Sequence, residues 1–281
     1  MLVLLFCFFM GFPTFIYSLP WNYPTVANIS IKAGGSSWSA SSSSNGGGDV
    51  STIPSGNRFA GRRQGGGTRN DVYGTSEYPG EQDSGVSGRG FPFYFWPIVW
   101  DDNSGDGETV LQDMEVYGSV NDPSRPGGPL IFTAFSLSSQ AMDATFYIVS
   151  DNATVLNIAP FILESCINFL DLSRSGQSYH ELCNSSINST SAPSANSVIQ
   201  YYRASSVALT LSRRGDSDML KMLSPFPSFI DALACVNSTI GNGIILVNNS
   251  AASPREYLVV LLVFVLVAVI ALFVYMVCSD D

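Results

Sequence analysis

The last apolar run of the chain, Tyr257 to Val277 (YLVVLLVFVLVAVIALFVYMV), constrains its folding more than any other stretch. It contains no charged residue and no Pro, Gly, Asn or Gln, so a helix built from it is apolar on every face. At about 1.5 Å per residue, such a helix crosses a hydrocarbon core of about 30 Å. A strand of that length lies outside the range that soluble domains use. The expectation is one transmembrane helix over residues 257–277, with residues 278–281 as a cytoplasmic end. Asp280 and Asp281 run against the positive-inside preference, which a cleaved signal would override. The rival is a glycosylphosphatidylinositol signal, with attachment residues among Asn249 to Ala252 and a short polar spacer from Ser253 to Tyr257.

Secretory entry is read from the other end. MLVLLFCFFMGFPTFIYS is an apolar segment broken by Pro13, which reads as a signal peptide over residues 1–18. Cleavage fits after Ser18 or after Ala27. The body of the protein is then lumenal or extracellular, on the plasma membrane or a secretory-pathway membrane. Asn-x-Ser/Thr acceptors follow at Asn28, Asn152, Asn184, Asn188, Asn237 and Asn248. Asn28 lies near the mature N-terminus, so Asn152, Asn184, Asn188, Asn237 and Asn248 are the candidate glycan sites. Cys7 leaves with the signal and Cys278 sits at the membrane boundary, which leaves Cys166, Cys183 and Cys235 in an oxidising compartment. No Cys or His spacing suggests zinc, no cofactor is implied, and His180 is the single histidine. A formal net charge of −10 argues against a nucleic-acid partner. The expected partners are the lipid bilayer and cell-wall polysaccharide.

Residues 19–90 are Gly/Ser-rich with few aliphatic side chains, a composition that predicts a disordered arm. Within it, Arg62-Arg63 reads as a dibasic processing site. Order is expected from Phe91, where FPFYFWPIVW carries Pro92 and Pro97 and is neither a regular helix nor a central strand. That run would pack on the following domain, touch an interface through Trp96 and Trp100, or offer a sugar-stacking face. Asp102 to Asp113 matches the register of a calcium loop, but Asp113 replaces the usual Glu and Thr109 is polar, so an acidic turn is the better reading.

Residues 91–249 should form a small α+β ectodomain. LIFTAFSLSS and ATFYIVSD alternate as strands, and a helix starts at Asn152 and is kinked or restarted at Pro160. VIQYYRAS reads as a short helix or turn leading into the strand SVALTLSR. FIDALACVNSTI forms a second helix closed at Gly241, before a short strand IILV. The fold class expected is α+β: a small, mostly antiparallel sheet with two helices on one face, between the disordered arm and the transmembrane helix. Cys166 and Cys235 fall on the two helices, so a disulfide between them is the favoured pairing, with Cys166–Cys183 as the alternative.

No catalytic constellation is evident: there is no G-x-S-x-G, no H-E-x-x-H and no phosphate-binding loop. The leading expectation is a non-enzymatic surface glycoprotein with a role in wall contact or ligand binding. The alternative is a carbohydrate-active hydrolase with an unidentified carboxylate pair, for which Asp101, Asp113, Glu115 and Glu164 are available. Arg203, beside Tyr201 and Tyr202, is read as a recognition residue or as a structural pivot. The stretches GGGTRNDVYGTSEYPG, GVSGRGFPFYFWPIVW, SRPGGP, FYIVSDNATV and QYYRASSVALTL give the chain a likeness. It resembles an uncharacterised family of secreted or membrane-anchored proteins of mushroom-forming fungi. The resemblance implies a fungal source, secretory targeting and a C-terminal membrane attachment. It also implies a pair of domain cysteines at Cys166 and Cys235, and it supplies no activity. Ser212-Arg213-Arg214 departs from the Gly-Tyr turn usual there.

Overall fold

The computed structural model describes residues 28–74, 90–100, 117–138, 144–182, 193–213 and 227–249. Its centre is an antiparallel sheet built from β5 (Leu130–Ser136), β6 (Ala144–Asp151), β7 (His180–Glu181), β8 (Val198–Tyr202) and β9 (Val207–Arg213), in the order β7-β5-β6-β9-β8. Alternate side chains of a strand point to opposite faces, and here both faces are apolar. Ile131, Phe135, Phe146, Ile148, Val207 and Leu209 fill one face. Phe132, Tyr147, Val149 and Ala208 fill the other.

The first face is covered by α1 (Asn152–Ser165) and α2 (Pro227–Gly243). Asp151 caps α1 by accepting from Thr154 N at 3.0 Å, and the helix runs through Pro160 without a break. A disulfide joins Cys166, just past α1, to Cys235 in α2. The second face is covered by Ile98 to Trp100 together with Tyr117 and Val120. The aromatic run therefore belongs to the core: Trp96 is 6% exposed and Trp100 2%, which leaves neither ring for a bilayer or for sugar stacking.

The Gly/Ser-rich tract corrects the expectation of disorder, because residues 28–74 are folded. β1 (Ile29–Ala33) and β2 (Ser36–Ser41) form a hairpin with Ala33 opposite Ser36, which leaves Gly34-Gly35 as a two-residue loop. Both glycines have positive φ, 55° and 79°, as the tight hairpin turn demands. β3 (Ser51–Thr52) pairs with β4 (Arg63–Gln64) in a second small sheet. Beyond them the backbone ladders onto the aromatic run: Gly67 N donates to Pro92 O at 2.8 Å and Gly65 N to Phe91 O at 3.0 Å. At Gly67 any side chain would collide with Phe93, since a Cβ there would lie 2.7 Å from its ring.

The strand after α2, β10 (Leu246–Val247), pairs with β2 and not with the central sheet. The expected fold class is therefore corrected to a mostly β architecture of three sheets with two helices among the described residues. The membrane helix expected over 257–277 lies outside the described residues. Among those described, no helix is long and apolar enough to cross a membrane. VIQYYRAS is also corrected: it is β8 and the start of a left-handed turn into β9, because Val, Ile and Tyr favour the pleated sheet.

Candidate functional site

Three buried or half-buried arginines are structural clasps: Arg125 and Arg69 are spent on backbone carbonyls, and Arg203 chiefly on side-chain oxygens. Arg203 is fully buried, and its guanidinium lies 3.4 Å from the Phe95 ring centroid. It donates to Asp151 Oδ2 at 2.5 Å, Thr154 Oγ1 at 2.9 Å and Ile245 O at 3.0 Å. Burial pulls its pKa below the ordinary arginine range, against the opposing pull of the Asp151 carboxylate. Of the two readings of Arg203, the geometry supports the pivot, since nothing of the side chain reaches solvent.

Arg125 donates to Pro97 O at 2.6 Å, Trp96 O at 3.1 Å and Tyr117 O at 3.2 Å, which ties the aromatic run to the segment after Tyr117. Arg69 reaches from the Gly/Ser layer to Ser44 O at 2.6 Å and to Ile244 O at 2.7 Å, behind α2. Desolvation, helped by the Arg203 charge, pushes Arg69 down to about 10. The dibasic pair is likewise built in. Arg63 lies in β4, Ile53 N donates to Arg62 O at 2.9 Å, and the Arg62 guanidinium sits 4.7 Å from the Phe59 ring centroid. A protease needs extended, free backbone, and neither residue offers it.

An open cleft of about 370 Å³ lies at the tip of the β1–β2 hairpin. One wall is Lys32 and the Gly34 to Ser37 turn, the other is Asn57-Arg58, and Trp96 and Pro123-Ser124 close the base. Lys32 projects outward because its neighbours Ile31 and Ala33 take the inward register of β1. Gly35 allows the two walls to approach, as a Cβ there would lie 2.6 Å from Asn57 Oδ1. The far wall is pinned by Asp122, which accepts from Ser124 Oγ at 2.6 Å and pairs with Arg58 Nη1 at 3.3 Å. Burial raises the Asp122 pKa, but the Ser124 hydrogen bonds and the Arg58 and Arg125 charges outweigh it and hold the carboxyl below its ordinary value. The lining offers hydroxyls, one amide and two cations, and it includes no His, Cys or carboxylate.

The sequence candidates fall elsewhere. Asp101, Asp113, Glu115, the calcium-like loop, Cys183, Asn184 and Asn188 lie outside the described residues. His180 is exposed in β7, with Nε2 3.0 Å from Ser178 Oγ, and it does not line the cleft at the β1–β2 tip. Glu164 is exposed on α1. Asp151 serves Arg203 and the α1 cap, and Asp71 closes its own turn on Thr68 at 2.6 Å.

The acceptor asparagines differ in what surrounds them. Asn152 opens α1 half-buried, and Thr154 of its triplet is fully buried. Asn237 Oδ1 accepts from the Tyr202 hydroxyl at 2.5 Å, and burial holds that tyrosine above its ordinary pKa. Asn248 Nδ2 donates to Asn28 Oδ1 and to Ser39 Oγ, both at 3.0 Å, so its amide hydrogens are spent on the β1–β2–β10 sheet. Composition hides the cleft, because most of its lining, Lys32 to Ser37 and Asn57-Arg58, belongs to the tract whose composition predicts disorder. The available signal was the alternation of ISIKA and SSWSAS around Gly34-Gly35, a hairpin pattern. No family model matches the chain, and neither a curated protein nor a solved structure matches it, which leaves the chemistry of this cleft as the guide to function.

Proposed function

We propose that this chain is a non-enzymatic glycoprotein of the fungal cell surface, held at a secretory-pathway or plasma membrane, that contacts wall polysaccharide. The single observation that carries the reading is the cleft at the β1–β2 tip, whose lining is made of hydroxyls, an amide and cations, with no His, Cys or carboxylate among the described residues. Such a lining can grip hydroxyl-rich ligands, and it holds no carboxylate pair of the kind glycoside hydrolysis uses. The Cys166–Cys235 disulfide suits an oxidising compartment, where a wall polymer would be met.

The test is co-sedimentation of the purified full chain with insoluble wall polysaccharide, alongside an assay for released reducing ends. Retention on the polymer, reduced by Asn57→Ala and without release of reducing ends, is the expected result. Reducing ends that vanish when one acidic residue is replaced in a still-folded chain would make the protein a hydrolase instead.

A further inference from the structure

Resting on the reading of the chain as a secreted glycoprotein, we infer that Asn28 carries an N-linked glycan and that Asn248, hydrogen-bonded to it, carries none. The two triplets, Asn28-Ile29-Ser30 and Asn248-Asn249-Ser250, are equal as sequence motifs. The fold brings them together on one small sheet. Asn28 stands just before β1 and Asn248 just after β10, and β2 runs between those two strands.

The Asn248 amide is fully committed. Its Oδ1 accepts from Ser41 Oγ at 2.8 Å, and its Nδ2 donates to Ser39 Oγ and to Asn28 Oδ1, both at 3.0 Å. One carbonyl oxygen and two amide hydrogens are all that such a side chain has to offer. Its backbone N–H donates to Ser39 O at 2.8 Å, so the residue is also held in the ladder with β2. A glycan replaces one hydrogen of Nδ2 with the anomeric carbon of a sugar. At Asn248 that would break one of the two bonds and drive a sugar into space held by Ser39 or Asn28.

Asn28 is placed the opposite way. It is exposed, and it enters the cluster through Oδ1, the atom that accepts from Asn248. Among the described residues its Nδ2 donates to no partner. Ser30, which supplies the acceptor hydroxyl of the triplet, is exposed as well. A sugar on Asn28 therefore keeps the bond to Asn248 and extends into solvent. The order of synthesis favours the same site. Asn28 emerges before β2 and β10 exist to engage it, whereas Asn248 emerges after β1 and β2. Signal cleavage after Ser18 or after Ala27 leaves Asn28 in the mature chain. Among the described residues β1 is an edge strand, and a hydrated sugar at its start blunts that edge against pairing with another chain.

The experiment maps glycans on the full chain secreted from a fungal host. Peptide-N-glycosidase in heavy-oxygen water turns each glycosylated Asn into labelled Asp, which peptide mass spectrometry locates. The expected result is label at Asn28 and none at Asn248. Ser30→Ala removes the acceptor hydroxyl but keeps the Asn28 amide, and it should cost the intact protein the mass of one glycan. Ser250→Ala should cost no glycan. Asn248→Asp, which cannot donate, should lower the melting temperature at an unchanged glycan count. Label at Asn248, or a melting temperature unmoved by Asn248→Asp, would overturn the exclusion of that site. A bare Asn28 beside other labelled acceptors would overturn the assignment to Asn28 and leave the glycoprotein reading standing. Label at no acceptor would overturn both. Should Ser30→Ala fail to leave the cell, the label map of the wild-type chain decides.

Discussion

The Gly/Ser layer and the sheet–helix body reach order by different routes. The body buries alternate side chains on both faces of one sheet, with helices on one side and the aromatic run on the other. The layer has little of its own to bury: Ile31, Ala33, Ala40, Ile53 and Val72 are its fully buried apolar residues. Fixing each residue costs about 1–2 kcal/mol of backbone entropy, against about 1.5–3 kcal/mol gained per buried aliphatic side chain. By that ratio residues 28–74 cannot fold alone. They become ordered by borrowing Phe93 and Tyr94 from the aromatic run and Leu246 and Val247 from the strand after α2. Glycine here marks close packing against rings and not a flexible linker, so order in the layer is conditional on the body.

The sharpest way to break this relation is at Arg203, which sits beneath both regions. Arg203→Met leaves the buried Asp151 carboxylate without its cation, a loss of about 3–5 kcal/mol. Urea unfolding followed by two probes, one in each region, should show both transitions moving together. Asp151→Asn added to that variant should recover part of the loss.

Next in size is an alkaline effect. Tyr94, Tyr147 and Tyr202 all have pKa values raised above the ordinary 10 by burial, so the folded state keeps protons that the unfolded chain releases. Their contribution is complete below pH 10 and is lost as pH rises past it, at most about 1.4 kcal/mol per pH unit for each group. Arg69, pushed down to about 10, acts the other way, because its folded form sheds a proton that the unfolded chain still holds. Three groups against one give a net fall in stability above pH 10, which thermal melts across that range will measure. Tyr147→Phe should lessen it.

A smaller and more local effect is expected at Gly65, whose φ is +83° and where a Cβ would lie 2.1 Å from Asp49 O. Gly65→Ala should cost about 1–2 kcal/mol from the left-handed backbone alone. Hydrogen exchange should quicken in β1 and β2 while α1 and α2 keep their protection. Equal loosening of the helices would show that the body depends on the layer as much as the reverse. The smallest change concerns the body alone. Ser205 has φ +64° and a buried hydroxyl with no hydrogen-bond partner. Ser205→Gly should raise stability by up to about 1 kcal/mol, read as an increased urea midpoint.

The sequence by itself determined the local elements whose pattern is periodic. LIFTAFS, ATFYIVSD and VALTLSR alternate apolar side chains and became β5, β6 and β9, and the segment after Pro225 became α2. The cap at Asp151 and the hairpin signal at Gly34-Gly35 are also written in neighbouring residues. Tertiary structure decided everything that needed a distant partner. It took the strand at Leu246–Val247 away from the central sheet to close the β1–β2 hairpin. It turned Arg203 inward, because Asp151, Thr154 and Ile245 converge on it from separate elements. It also assembled the cleft from Lys32, Asn57, Arg58, Trp96 and Ser124, five residues spread over four separate stretches of chain. Composition averages a segment against water, whereas these glycines and serines are ordered by apolar surface and hydrogen-bond partners that lie elsewhere in the chain.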